Sequence, residues 1–201
     1  GSENTYNPNQ LSLDINASGS RIVLRIGRYT VNGQDSHGFC IAYEDNGNNY
    51  AQIGGTIYVN HNNYNMYLKM SGDGSTIAYT TKTFNTMLIT RYDGSSWVSL
   101  PSIDMYSINF DIGLSLSYDG NIIAIGETDA DDGGVDTGRT RIFEYNGNWV
   151  LKGQINGSGA YDKSGTSVSL SSDGNTLAIG EPMATDVAVN HGRTRIFQYN
   201  G

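Results

Sequence analysis

The chain has 201 residues, with 12 lysines and arginines against 20 aspartates and glutamates, a formal net charge of −8. Its cations stand singly or as Arg139/Arg141 and Arg193/Arg195, whereas nucleic acid and anionic membrane surfaces reward clustered cations, so neither is expected as a partner. No apolar stretch approaches the roughly 20 residues of a membrane helix, so no membrane insertion is expected either.

Four related units follow one another at about 11–57, 64–104, 111–155 and 165–201. In the first, Asn16 to Val23 reads as a hairpin turn around Gly19, Gly38-Phe-Cys-Ile-Ala42 as a third strand, and Tyr50 as the opening of a fourth. Cys40 is the only cysteine, which excludes an internal disulfide, and its place in a strand predicts a buried, inert thiol. In the second unit Lys69 to Ala78 repeats the turn around Gly74, and Trp97 opens the fourth strand.

The third unit carries LSLSYDGNIIAIGE from Leu114, with its turn at Gly120, and then GRTRIFEYNG over 138–147. A further turn at Asn146-Gly147-Asn148 leads into a fourth strand, Trp149 to Ile155. The fourth unit repeats these segments at an offset of 54 residues, as VSLSSDGNTLAIGE from Val168 and GRTRIFQYNG over 192–201, the decapeptides differing only at Glu144 and Gln198. A repeat of this length, built of short strands, predicts a single all-β domain over 1–201, a β-propeller with four repeat units or blades of about 54 residues.

Asp173 can bond its own backbone and Gly174 accepts positive φ, so Ser172-Asp-Gly-Asn175 turns one strand into the next. Strands with bulk on both sides predict blades covered on both faces. Leu116, Ile123, Ile125, Ile142 and Phe143 are the expected core of the third unit, and Leu170, Leu177, Ile179, Ile196 and Phe197 that of the fourth. The sequence reaches Gly201 where the third unit continues with Asn148-Trp149-Val150, so the last blade is expected to lack its own fourth strand. The N-terminal segment, another chain through self-association, or further sequence would complete it.

At SVSLSSDGNTLAIGEP followed by GRTRIFQYNG, the repeat resembles the FG-GAP-like propeller repeats of large surface proteins, related to the integrin α-subunit head. The family's Phe-Gly position is similar to Ser164-Gly165, and its Gly-Ala-Pro to Gly180-Glu181-Pro182 and Gly126-Glu127-Thr128. In the first two units Arg25-Ile26-Gly27 and Thr80-Thr81-Lys82 stand there instead. The resemblance implies an extracellular or surface-exposed adhesion or ligand-binding module. It also implies calcium in a loop between the first two strands, but Ser171 to Asn175 is short and has one carboxylate, so that site is absent.

Catalytic constellations are sparse. A sialidase-type Asp box fails because Gly174 follows Asp173 directly, and His37, His61 and His191 are far apart in polar loops. One loop departs from its sister copy: residues 127–136 carry five carboxylates where 181–190 carry two. Asp129, Asp131 and Gly134 take positions one, three and six of a calcium loop, with Asp132 and Asp136 close by, so these four aspartates are candidate calcium ligands beside the alternative of a solvated acidic loop. The expected function is a non-enzymatic structural or adhesion module, probing a protein or glycan ligand. A carbohydrate-binding lectin and a propeller hydrolase with central carboxylates stand as alternatives.

Overall fold

The structure, a computed structural model, describes residues 11–26, 29–31, 34–36, 38–59, 67–81, 85–106, 112–185 and 191–200. The protein is all-β, with no helix among the described residues. The chain divides into two compact units, Gly1–Ser102 and Ile103–Gly201.

The first unit carries β1 (Leu11–Ile15), β2 (Arg21–Ile26), β3 (Tyr29–Val31), β4 (Gln34–Ser36), β5 (Gly38–Asp45), β6 (Tyr50–Val59), β7 (Leu68–Met70), β8 (Thr76–Thr81), β9 (Thr86–Tyr92) and β10 (Trp97–Ser99). They pair in the orders β1-β2-β5-β6 and β10-β9-β8-β7, with β3 and β4 as a small hairpin between β2 and β5. The second unit carries β11 (Ile103–Asp104), β12 (Leu114–Leu116), β13 (Ile122–Glu127), β14 (Arg139–Tyr145), β15 (Trp149–Asn156), β16 (Ser167–Leu170), β17 (Thr176–Glu181) and β18 (Arg193–Gln198). Here the orders are β12-β13-β14-β15 and β16-β17-β18, so the fourth sheet has three strands among the described residues.

One turn chemistry makes three of the inner hairpins. Ser71, Ser117 and Ser171 each donate their hydroxyl to the aspartate two residues on, Asp73, Asp119 and Asp173, at 2.6, 2.7 and 2.5 Å. The same hydroxyls accept the N–H of Thr76, Ile122 and Thr176 at 2.9 Å. In the first sheet Asn16 takes the serine's part, its Oδ1 accepting Arg21 N–H at 2.9 Å. Gly19, Gly74, Gly120 and Gly174 all have positive φ, between 66 and 76°, the backbone state that closes the turn. The turns thus use their polar side chains to satisfy local backbone groups, which is why so degenerate a motif recurs.

Within each unit the sheets are tied by the same two bonds. Ala17 N–H donates to Gly72 O in the first unit, and Tyr118 N–H to Ser172 O in the second. Met70 N–H donates to Asp14 Oδ2 at 2.8 Å, and Leu170 N–H to Ser115 Oγ at 3.0 Å. Apolar packing follows. Val23, Cys40, Ala42, Val59, Leu68, Met70, Ile77 and Tyr79 form the core of the first unit; Ala124, Leu177 and Ile179 form one in the second, with Ile142, Ile155, Val168, Leu170 and Phe197 packed against it.

Ile123, Ile125, Phe143, Leu177 and Ile179 are buried as expected, and Leu116, Ile142, Leu170 and Phe197 are half-buried. Ile196 departs from the expectation, at 72 % exposed. β18 alternates half-buried and exposed residues along its length, so the last sheet is covered on one face only. The expected fourth-strand openers are structural anchors: Trp97 stacks on Tyr92 at 5.3 Å, Trp149 on Tyr145 at 5.1 Å, and the half-exposed Tyr50 donates its hydroxyl to Gly19 O at 2.6 Å.

Cys40 is fully buried, and burial pushes its thiol up to about 12 against the weaker opposing pull of the Arg25 guanidinium. Burial likewise lifts the Tyr79 phenol to about 12. The unfolded chain loses these two protons first, at about 8.5 for a thiol and about 10 for a phenol, so above those values it binds fewer protons than the native state. Stability from this source is whole below about pH 8.5 and falls as pH rises towards 12. Urea midpoints measured at successive pH values are expected to drop progressively across that alkaline window.

Candidate functional site

Chemistry concentrates in the second unit. Glu127, at the end of β13, is 1 % exposed and faces two arginines of β14. Its Oε2 accepts Arg139 Nε at 2.6 Å and Arg141 Nε at 2.9 Å; its Oε1 accepts Arg141 Nη2 at 2.6 Å and the Tyr106 N–H at 2.7 Å. Arg141 Nη2 also donates to Asp104 O at 2.6 Å. β17 and β18 repeat the cluster: Glu181 Oε2 accepts Arg193 Nε at 2.6 Å, Arg195 closes on Oε1, and Arg195 Nη2 donates to Asn156 O at 2.7 Å. Each buried carboxylate is gripped by two arginines of the neighbouring strand, the arrangement of a buried ion cluster. The two clusters are therefore structural. The sequence carries their signal, the pairing of Gly-Glu with Gly-Arg-Thr-Arg at identical spacing in two copies, but sequence reasoning takes the glutamates as part of the family resemblance and the acidic loop, and the arginines as isolated cation pairs, with no link between them.

The acidic loop after β13 engages its four aspartates in bonds within the protein. Asp129 and Asp136 share Lys163, whose Nζ lies 2.8 Å from one and 3.1 Å from the other. Asp132 pairs with Arg139 at 2.7 Å, and Asp131 Oδ1 accepts the Asp136 N–H at 2.8 Å. Among the described residues no group of three or more histidine, cysteine, aspartate or glutamate side chains is placed to hold a metal ion. Lys163 supplies positive charge to Asp129 and Asp136, and Arg139 to Asp132, in the place that a cation would take. Melting in millimolar calcium and in chelator is therefore expected to coincide. Lys163→Met, which leaves Asp129 and Asp136 facing each other, is expected to melt lower and to be the variant that calcium rescues.

Of the three histidines, His37 and His61 lie outside the described residues and His191 is exposed ahead of β18. A polar groove of about 490 Å³ opens between the outer turns of the third and fourth sheets. Tyr118, Asp119, Asn121, Glu144, Tyr145 and Lys152 line it from the third sheet, with Ser172, Asp173 and Asn175 from the fourth. Burial works upward on Asp119, but the Ser117 hydroxyl and the Asn121 N–H outweigh it and hold the carboxyl below its usual range. Asp173 is held low as well, by the Ser171 hydroxyl first and then by Asn175. Glu144 is the one carboxylate there outside the turn bonding; it lies 3.6 Å from Lys152 and is half-exposed.

No family model matches the chain, and no curated protein matches it in sequence. Solved structures do match. The hydrazine synthase of Kuenenia stuttgartiensis is 12% identical over 94% of this chain, with a TM-score of 0.53. The Niastella koreensis GH74 enzyme is 13% identical over 94% of the chain, with a TM-score of 0.55, and the Pyrococcus horikoshii acylaminoacyl peptidase 10% identical over 94%, with a TM-score of 0.54. The fold is that of a β-propeller. This chain spans 58%, 23% and 31% of the length of those three chains. All three names are those of enzymes, and the expectation of a non-enzymatic adhesion module is corrected on that finding.

Proposed function

We propose that this chain is propeller sequence of a hydrolase, and that its polar groove in the second unit faces the substrate. The reading is supported by the peptidase and the GH74 enzyme among the structures that share its fold. The observation that carries it to a residue is a comparison inside the chain. Glu144 is the one position at which the two decapeptides differ, and Gln198 stands in the sister copy. A carboxylate is thus dispensable for the strand, yet Glu144 lines a groove that also holds the tyrosines Tyr118 and Tyr145 and two fixed anions. Aromatic faces beside carboxylates and amides suit a hydroxyl- or amide-rich substrate. Glu144, beside Lys152, is the carboxylate of the groove that takes no part in the turn bonding.

The finer kinship with FG-GAP-like repeats belongs to the same reading. It is supported by the crossing of Gly165 over Gly126, a close backbone approach at the positions where the resemblance lies. The test is a panel of chromogenic glycosides, peptide anilides and lactones, run on the chain and on Glu144→Gln. Because glutamine is the sister copy's residue, the variant is expected to fold normally and to lose about 10²-fold or more of any turnover. Absence of turnover on every class, or equal rates for the variant, would overturn the proposal.

A further inference from the structure

Three Asn-Gly pairs lie wholly among the described residues: Asn46-Gly47, Asn146-Gly147 and Asn156-Gly157. Asparagine is a labile residue, most of all before glycine, which has no side chain to keep its backbone nitrogen away from the asparagine's amide carbon. Folding decides whether that nitrogen can act. At two of the pairs both reacting groups are engaged. Gly47 N–H donates to Asp45 Oδ1 at 2.8 Å, and Asn46 Oδ1 accepts the N–H groups of Asn48 and Asn49, each at 3.1 Å. Gly157 N–H donates to Gly138 O at 2.8 Å, and Asn156 Oδ1 accepts Gln154 Nε2, also at 2.8 Å. The third pair differs. It opens the β14–β15 turn as Asn46-Gly47 opens the β5–β6 turn, but Tyr145 stands where Asp45 does, so the glycine has no carboxylate to hold its N–H. The bonds of this turn run from Asn146 N–H to Asn148 O at 3.1 Å and from Trp149 N–H to Asn148 Oδ1 at 2.9 Å, and they bypass Gly147. Among the described residues nothing engages the Gly147 N–H or the Asn146 side-chain amide, and residues 146–148 are exposed.

We propose that Asn146-Gly147 is a site of self-modification, where the chain turns an amide into a carboxylate without an enzyme. Hydroxide takes the Gly147 amide proton and the nitrogen attacks Asn146 Cγ, so that an N–Cγ bond forms and the Cγ–Nδ2 bond breaks. Ammonia leaves, taking a proton from water and restoring the hydroxide. Water then opens the five-membered imide at either carbonyl. Opening at Cγ gives aspartate; opening at the main-chain carbonyl of residue 146 leaves the chain running through Cγ as isoaspartate, one methylene longer. Either product places a new negative charge next to Tyr145 and two residues from Glu144, both of which line the polar groove.

The test incubates the full chain at mildly alkaline pH, in buffer and in concentrated urea, and follows each pair by peptide mapping with mass spectrometry. In buffer Asn146 is expected to convert about tenfold faster than Asn46 and Asn156, the factor that a retained hydrogen bond can supply, and to give two separable products. In urea the three rates are expected to converge, because each asparagine then meets its glycine in an open chain. Asp45→Ala, a change at an exposed residue that releases the Gly47 N–H, is expected to raise the Asn46 rate about fivefold and to leave the melting temperature unmoved. Equal rates at the three pairs in the folded chain, or a faster Asn46 or Asn156, would overturn the proposal. So would an order of rates that persists in urea, since local sequence would then set it, or an Asn46 rate that ignores Asp45→Ala.

Discussion

Glu127→Ala is expected to destabilise the second unit by about 3–5 kcal/mol, the usual cost of removing one partner from a buried ion cluster. The alanine leaves Arg139 and Arg141, both largely covered, without the carboxylate that accepts three of their bonds. It also leaves the Tyr106 N–H without its acceptor. The melting temperature should fall by about 6–20 °C. A compensating variant is written in the first sheet, where Ile26 faces Phe39 at the register at which Glu127 faces Arg139, and Ile41 stands where Arg141 does. Copying those residues as Glu127→Ile with Arg139→Phe and Arg141→Ile is expected to recover most of the loss, since a packed apolar set matches a buried ion cluster in stability. A single-variant loss below about 1 kcal/mol would mean that the cluster behaves as a solvated surface pair.

Gly126→Ala is expected to cost more than about 4 kcal/mol, at the extreme of what single substitutions do. A Cβ on Gly126 would stand 1.9 Å from Gly165 O and within 2.8 Å of its carbonyl carbon and Cα, so backbone would have to move. That backbone is pinned, because Gly165 O accepts the Gly113 N–H at 2.9 Å and Gly113 O accepts the Gly126 N–H at 2.8 Å. Gly165 itself sits at φ +92°, which a side chain rarely adopts. Gly153→Ala is the control: its nearest neighbour would be the end of Ile142, at 3.9 Å, in ordinary contact. Urea unfolding followed by the Trp149 emission should give an unchanged midpoint for the control and no native baseline for Gly126→Ala.

The turns were legible in the sequence because their chemistry is local. Ser117, Asp119 and Gly120 satisfy one another's backbone within six residues, so a short motif suffices to define the hairpin and its register. The repeat made the strand order legible for the same reason, since each unit copies a meander whose bonds lie between neighbours in the chain. The candidate site was another matter. Glu127 meets its arginines 12 and 14 residues later, across a loop whose length no local rule fixes, and Lys163 reaches Asp129 from 34 residues away.

The two decapeptides mark the boundary between what sequence and tertiary structure each decide. With nine of ten residues shared, 138–147 and 192–201 form the same strand, with the same arginines turned towards the same kind of glutamate. That much the sequence by itself determined, through alternation and pairing. Yet Phe143 is buried and Phe197 half-buried, and Ile142 is half-buried where Ile196 is 72 % exposed. Burial is a property of what lies on the other side of the strand. Ile142 packs against the cluster of Ala124, Leu177 and Ile179, whereas Ile196 lies on the face of β18 that is exposed along the strand, and only the tertiary structure decides which face of each copy is covered.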